Sequence, residues 1–200
     1  MKVEIEDVLF WMDAIRNSED RYRTLESFWK GQVRSKVWLS DHLNNWYIGL
    51  KDIVIFGGWN GVLASILFNA RPDIKSIISV DIDPTCEEIA NTVNKRYEME
   101  GKFKAVTADM CNYKYDAHLV INTSCEHINQ QQYETWLSNI PEQAMIVLQS
   151  NDYFDLDEHI RCATDLEDFV EMSKIYVTWK AELQTEKYKR FMLIGQKVID

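Results

Sequence analysis

The stretch Asp52-Ile-Val-Ile-Phe-Gly-Gly-Trp-Asn-Gly61, running on to Val80-Asp-Ile-Asp-Pro84, decides how this chain is read. Ile53, Val54, Ile55 and Phe56 form a short apolar run of the kind a doubly covered parallel strand needs. The run stops at Gly57, Gly58, Trp59, Asn60 and Gly61, then becomes Val62 to Phe68, which reads as a buried helix. Arg71-Pro72-Asp73 ends that helix. A second apolar run, Ile77 to Val80, finishes on Asp81. Strand, glycine turn, helix, strand and acidic tip thus fit one unit of about 30 residues. Glycines just past a strand supply φ > 0 and let backbone N–H groups approach a ligand, and Asn60 is the non-glycine residue best suited to a left-handed conformation there. A carboxylate at the next strand tip is placed to accept hydrogen bonds from a ribose diol. The expected guest carries a nucleoside.

The glycine spacing narrows the choice. A dinucleotide fingerprint needs a glycine two positions after the first, where the backbone meets the pyrophosphate. From Gly57 that position is Trp59, and from Gly58 it is Asn60, so neither count fits. No Gly-Lys-Ser/Thr is present for a Walker A loop. What remains resembles motif I of the class I S-adenosylmethionine-dependent methyltransferases, with Asp81 at the ribose-binding acid. Trp59 stands where that family usually has its middle glycine, and no acid precedes Gly57.

The resemblance covers about residues 50 to 198. It implies an α/β, Rossmann-like, doubly wound, mostly parallel sheet of seven strands ordered 3-2-1-4-5-7-6, with a C-terminal antiparallel hairpin and N-terminal helices. Residues 1–48 are expected to form a helical extension packed on a core of 49–200. The implied cofactor is S-adenosylmethionine, with Gly57, Gly58, Trp59, Asn60 and Gly61 at its methionine portion, Asp81 and Ile82 at the ribose side, and Asp109 and Met110 at the adenine. Asn122 and Ser124 complete the implied cofactor set.

Other landmarks fall in order. Val3, Val8, Leu9, Met12 and Ile15 recur at helical spacing, predicting a helix over 4–16. Ser18 is expected to cap a second helix that carries Tyr22 to Trp29 and ends at Gly31, and Val33 to Trp46 suggests a third. From this third helix Ser35 and Lys36 are within reach of a cofactor carboxylate, although a solvated lysine is the simpler reading. Asp83-Pro84 starts a helix to about Tyr97. Phe103 to Val106 is a third strand. The short Cys111 to Ala117 segment has no room for a helix before a fourth strand over His118 to Asn122. Such an extended segment, at about 3.3 Å per residue, is still long enough for the crossing. Asn129 and Gln132 predict a capping box, as do Thr164 and Glu167. Met145 to Leu148 reads as a fifth strand, and alternation from Ile175 to Leu183 with a return over Tyr188 to Val198 predicts the hairpin.

Asn122-Thr-Ser-Cys-Glu-His127 follows the fourth strand, where open α/β sheets bind and react. His127 is the candidate general base, with Glu126 to orient it or to hold a cationic acceptor. The Asn/Asp-Pro-Pro-aromatic tetrad of amino-methylating nucleic-acid enzymes is absent, and Cys125 lacks the neighbours of a cytosine-C5 nucleophile. The acidic segment 151–163 reads as a solvated loop or lid without metal-ligand spacing, so no metal is expected.

Composition bounds the rest. With 22 Lys and Arg against 32 Asp and Glu, the formal net charge is −10, which weighs against a nucleic-acid partner. Four scattered cysteines without CxxC spacing suit reduced thiols, and no apolar run is long enough for a membrane span. A cytoplasmic protein is expected. The reading is therefore methyl transfer to a small-molecule or protein acceptor. Transfer of an aminopropyl or aminocarboxypropyl group on the same scaffold, and binding of the cofactor without chemistry, are the alternatives.

Overall fold

The computed structural model describes residues 3–44 and 51–198. Its strands are β1 (Asp52–Phe56), β2 (Ser76–Asp81), β3 (Phe103–Thr107), β4 (Leu119–Asn122), β5 (Met145–Asn151), β6 (Ile175–Gln184) and β7 (Lys189–Lys197). They form one seven-stranded sheet in the order β3-β2-β1-β4-β5-β7-β6. β7 runs antiparallel to both β5 and β6. The chain divides into two compact units, Met1–Asp109 and Met110–Asp200.

In the first unit, β1 pairs in parallel with β2, and β2 with β3. Ile53 to Phe56 are buried on both faces, as their uninterrupted apolar run predicts. Helix α4 (Val62–Ala70) is buried from Val62 through Phe68, which explains why it lacks a polar stripe. Helices α1 (Ile5–Asn17), α2 (Arg21–Glu26) and α3 (Lys30–Asn44) precede the sheet. Buried Asp7 ties α1 down by accepting from Arg96 (2.8 Å) and Asn69 (2.9 Å). Two local expectations are corrected. Asp20, not Ser18, caps α2 through the Arg23 N–H, while Ser18 accepts from the Thr24 hydroxyl. Gly31 lies inside α3 instead of ending a helix. The Trp46 end of the predicted third helix lies outside the described residues. The helix after β2 is interrupted at Asn94, giving α5 (Thr85–Val93) and α6 (Lys95–Met99). Asn94 is buried and spends its amide on the Gly61 and Ala90 carbonyls, so it links this helix to the glycine turn.

In the second unit, β4 pairs in parallel with β5. No helix forms between β3 and β4. Asn129 and Gln132 make the predicted capping box on α7 (Gln130–Ser138). For α8 (Leu166–Ser173) the cap is Asp165, which accepts from the Asp168 N–H; Asp168 reaches back to Thr164, and Glu167 instead meets Lys180. Thr164 thus stands one residue too early for the predicted box. β6 alternates exposed and half-buried positions after buried Ile175, as an edge strand should. No helix among the described residues is long and apolar enough to cross a membrane.

Candidate functional site

The glycine turn is shaped by alternating left-handed residues. Gly57 (φ 60°), Trp59 (φ 48°) and Gly61 (φ 72°) have positive φ. Asn60 is the residue expected to be left-handed here; in the structure it is Trp59 instead. The reason is a long-range bond: the Trp59 N–H donates to Asp81 Oδ2 at 2.8 Å, and this fixes the peptide orientation. Gly58 has a different role. A Cβ there would stand 1.9 Å from Ser79 Oγ, so only glycine lets the turn lie this close to β2.

Asp81 is pinned from both sides, because its Oδ1 accepts from the Asp83 N–H at 3.0 Å. Each oxygen keeps a second lone pair for another donor. Ile82, beside it, is 72% exposed, an apolar side chain with nothing covering it in the first unit. A narrow groove runs past Trp59, Asp81, Asp83, Glu87, Val106 and Thr107. Asn60 is 2% exposed, yet neither its amide nitrogen nor its oxygen has a partner among the described residues, and the buried Trp59 indole nitrogen is likewise unsatisfied. Buried polar atoms of this kind are costly unless something meets them. Asp109 is exposed at the end of the unit. Of the helical residues, Ser35 is buried and Lys36 donates to Gln32.

In the second unit, Asn122 is fully buried at the tip of β4. Its oxygen accepts from the Ser124 N–H (2.9 Å), and its amide faces Met110 sulfur at 3.9 Å. A 3-10 turn, Cys125–His127, follows. Glu126 is buried, and its Oε1 accepts from Asn151 (2.7 Å) and from Arg190 (2.6 Å). Burial opposes the charge on Arg190, but neighbouring Glu126 outweighs it and holds the guanidinium pKa above its ordinary value. Arg190 also bonds the Thr123 carbonyl. Glu126 is therefore engaged with β5 and β7 while His127, exposed, bonds the Glu158 carbonyl through Nδ1 at 3.2 Å. Cys125 has no exposed surface, and burial pushes its thiol up to about 12, so no thiolate is present near neutrality.

No protein-family model matches the chain, and no curated protein matches it by sequence. Solved structures do match. The mitomycin 7-O-methyltransferase MmcR superposes with a TM-score of 0.64 at 12% identity, over 93% of this chain and 60% of that one. The pyocyanin biosynthetic protein PhzM gives 0.67 at 12% identity, over 94% and 62%. Magnesium protoporphyrin IX methyltransferase (ChlM) from Synechocystis PCC 6803, solved with bound SAM, gives 0.63 at 12% identity, over 94% and 90%. The chain has the class I S-adenosylmethionine-dependent methyltransferase fold. It spans about 60% of the length of the first two of these proteins.

Within that fold the first unit brings the Gly57 to Gly61 turn against Asp81 at the carboxyl ends of β1 and β2, with exposed Ile82 next in the chain. The second unit joins Met110, Asn122 and Ser124 in one local cluster. It does not join Glu126 to His127 by a hydrogen bond. The sequence alone points to no role for Arg190 or Arg161. Arg161 is buried, bonds the carbonyls of Cys125 and Met172 and the Gln130 side chain, and lies 4.0 Å over the Tyr133 ring. The available signal was weak: a basic residue inside the otherwise apolar return strand, Arg190-Phe-Met-Leu-Ile194, is the kind of exception that marks a buried ion pair.

Proposed function

We propose that the chain is an S-adenosylmethionine-dependent methyltransferase acting on a small-molecule or protein acceptor. The observation that carries this is the pairing of a left-handed turn at Gly57, Trp59 and Gly61 with an Asp81 carboxylate pinned by two backbone N–H groups. Such a carboxylate is pre-aimed to take a ribose diol. The buried, unpartnered amide of Asn60 supplies donor and acceptor capacity beside the turn for an amino-acid moiety. Trp59 occupies the position a dinucleotide's pyrophosphate needs kept clear, which argues against nicotinamide and flavin cofactors.

When bound, S-adenosylmethionine supplies an activated methyl group with a good leaving group already attached. The chain's own task is to orient donor and acceptor and, for a protonated acceptor, to remove a proton. Glu126 and His127 are the groups proposed for the acceptor, His127 as proton acceptor and Glu126 as a fixed negative charge.

Calorimetry with S-adenosylhomocysteine tests the reading. We expect binding by the wild type and a roughly 10–100-fold weaker Kd for Asp81→Ala, the loss of about 1.5–3 kcal/mol that hydrogen bonds to a charged group contribute. Heat from NAD with none from S-adenosylhomocysteine overturns it. Methyl-labelled cofactor incubated with a metabolite or protein extract then identifies the acceptor by mass shift.

A further inference from the structure

Glu126, His127 and His159 converge in the second unit, and one ligating atom from each lies within 4.8 Å of the others. The two rings meet edge to face at 4.8 Å and 81°. Only the first two are neighbours in sequence; His159 arrives from the acidic segment after β5, which is anchored by the Arg161 N–H on the Glu126 carbonyl (3.0 Å).

Two further observations point to an occupant. Glu126 is 3% exposed and directs both of its hydrogen bonds through Oε1, leaving Oε2 buried with no partner. Both histidines, in turn, are oriented by main-chain carbonyls. His159 Nδ1 lies 2.7 Å from the Tyr153 carbonyl oxygen, and His127 Nδ1 lies 3.2 Å from that of Glu158. A carbonyl only accepts, so each Nδ1 carries a hydrogen and Nε2 is the nitrogen left to meet a ligand. Rings fixed in this way by their second nitrogen are the usual state of metal-ligating histidines.

We propose that Glu126 Oε2 and the Nε2 atoms of His127 and His159 bind one divalent first-row transition ion. Two imidazoles and one carboxylate suit Zn²⁺, Co²⁺ or Fe²⁺, whereas Mg²⁺ and Ca²⁺ prefer all-oxygen shells. The carboxylate bridges the ion and Arg190, which share one negative charge, so the site retains excess positive charge. Three protein ligands leave coordination open for water or for an anionic oxygen of a second ligand, such as a phenolate or carboxylate. The ion site does not depend on the methyltransferase reading; only the idea that this oxygen belongs to the methyl acceptor rests on it. With an ion bound, the lone pair of His127 would be committed to the metal, and the ion would supply the base in its place by acidifying a bound water; His127 would be the proton acceptor only in the ion-free protein.

Chelator-treated protein titrated with Co²⁺ tests the site. The expected result is saturation at one equivalent with visible d–d absorption, displacement by Zn²⁺ and no competition from Mg²⁺. His159→Gln and His127→Gln should each weaken binding by at least the roughly 10–100-fold that even loss of a supporting contact costs a metal site. As a readout that needs no substitution, paramagnetic broadening of the His127 and His159 ring resonances by Co²⁺ is read in the unaltered protein as well. Absence of Co²⁺ binding, or binding that leaves both rings unbroadened or survives both substitutions, overturns the proposal. S-adenosylhomocysteine calorimetry in excess chelator reports on the cofactor reading separately.

Discussion

The two candidate sites on this chain are built in opposite ways. The turn at Gly57 to Gly61 is made within one strand-turn-helix-strand unit, and its shape is held by backbone geometry and one carboxylate, Asp81. The edge after β4 is made from four separate places: Glu126 and His127 on a 3-10 turn, Asn151 at the end of β5, His159 in the following segment, and Arg190 on β7. A site of the first kind is specified by local chemistry and tolerates distant change. The second kind exists only when strands remote in sequence have paired, so its groups are coupled to the stability of the fold.

That difference sets the largest expected effect. Arg190→Met removes the partner of a carboxylate that is almost wholly buried, and breaking such a pair typically costs about 3–5 kcal/mol. Urea denaturation should register a loss of this size, and the double variant Glu126→Gln/Arg190→Met should recover much of it, because no uncompensated charge remains. Additive losses in the double variant would mean that the two side chains act independently and that the edge is not one coupled network.

The turn predicts a smaller effect with a different signature. Trp59 sits at φ 48°, a region where a side chain with a Cβ costs about 1–2 kcal/mol and a β-branched one is least tolerated. Trp59→Gly should therefore be more stable to urea than Trp59→Val by about 1–2 kcal/mol, although valine buries more apolar surface. The reverse order would remove the left-handed turn on which the cofactor reading stands.

The same contrast explains what could be read in advance. The strands themselves, the helixless connection to β4 and the closing hairpin were legible because apolar runs, turn residues and period-two alternation are local signals, whereas the strand order came only with the family resemblance. The turn and Asp81 were legible for the same reason. Trp59 was not: no propensity assigns an aromatic residue a positive φ, and only the bond to Asp81, which requires β1 and β2 to be paired, explains it. Asp20 and Asp165, in place of Ser18 and Thr164, show that capping residues are recognisable by type but not reliably to the residue when several candidates stand together. Glu126 stands out by its position after β4, but its partners are on β5 and on the last strand. His159 looked like one polar residue in an acidic loop until the fold put it beside His127.

Asp83 tests the comparison within a single residue, since it has both a local and a distant partner. Its Oδ1 accepts from the Thr85 N–H (2.9 Å) and hydroxyl (2.7 Å), while its Oδ2 meets Arg23 of α2 at 2.6 Å. The Thr85 bonds come first and Arg23 after in holding its carboxyl below the ordinary range, against the opposing effect of burial. A carboxyl depressed in the folded state contributes stability that is present above its unfolded value of about 3.9 and is lost as pH falls through the folded value. Arg23→Met should therefore cost at most about 1 kcal/mol at neutral pH, as partly exposed pairs do. Carbon NMR titration of the variant should still find the Asp83 carboxyl below the ordinary range. A return to the ordinary value would show that even this turn is governed from a distance, because the two Thr85 bonds alone would then be too weak to hold the charge.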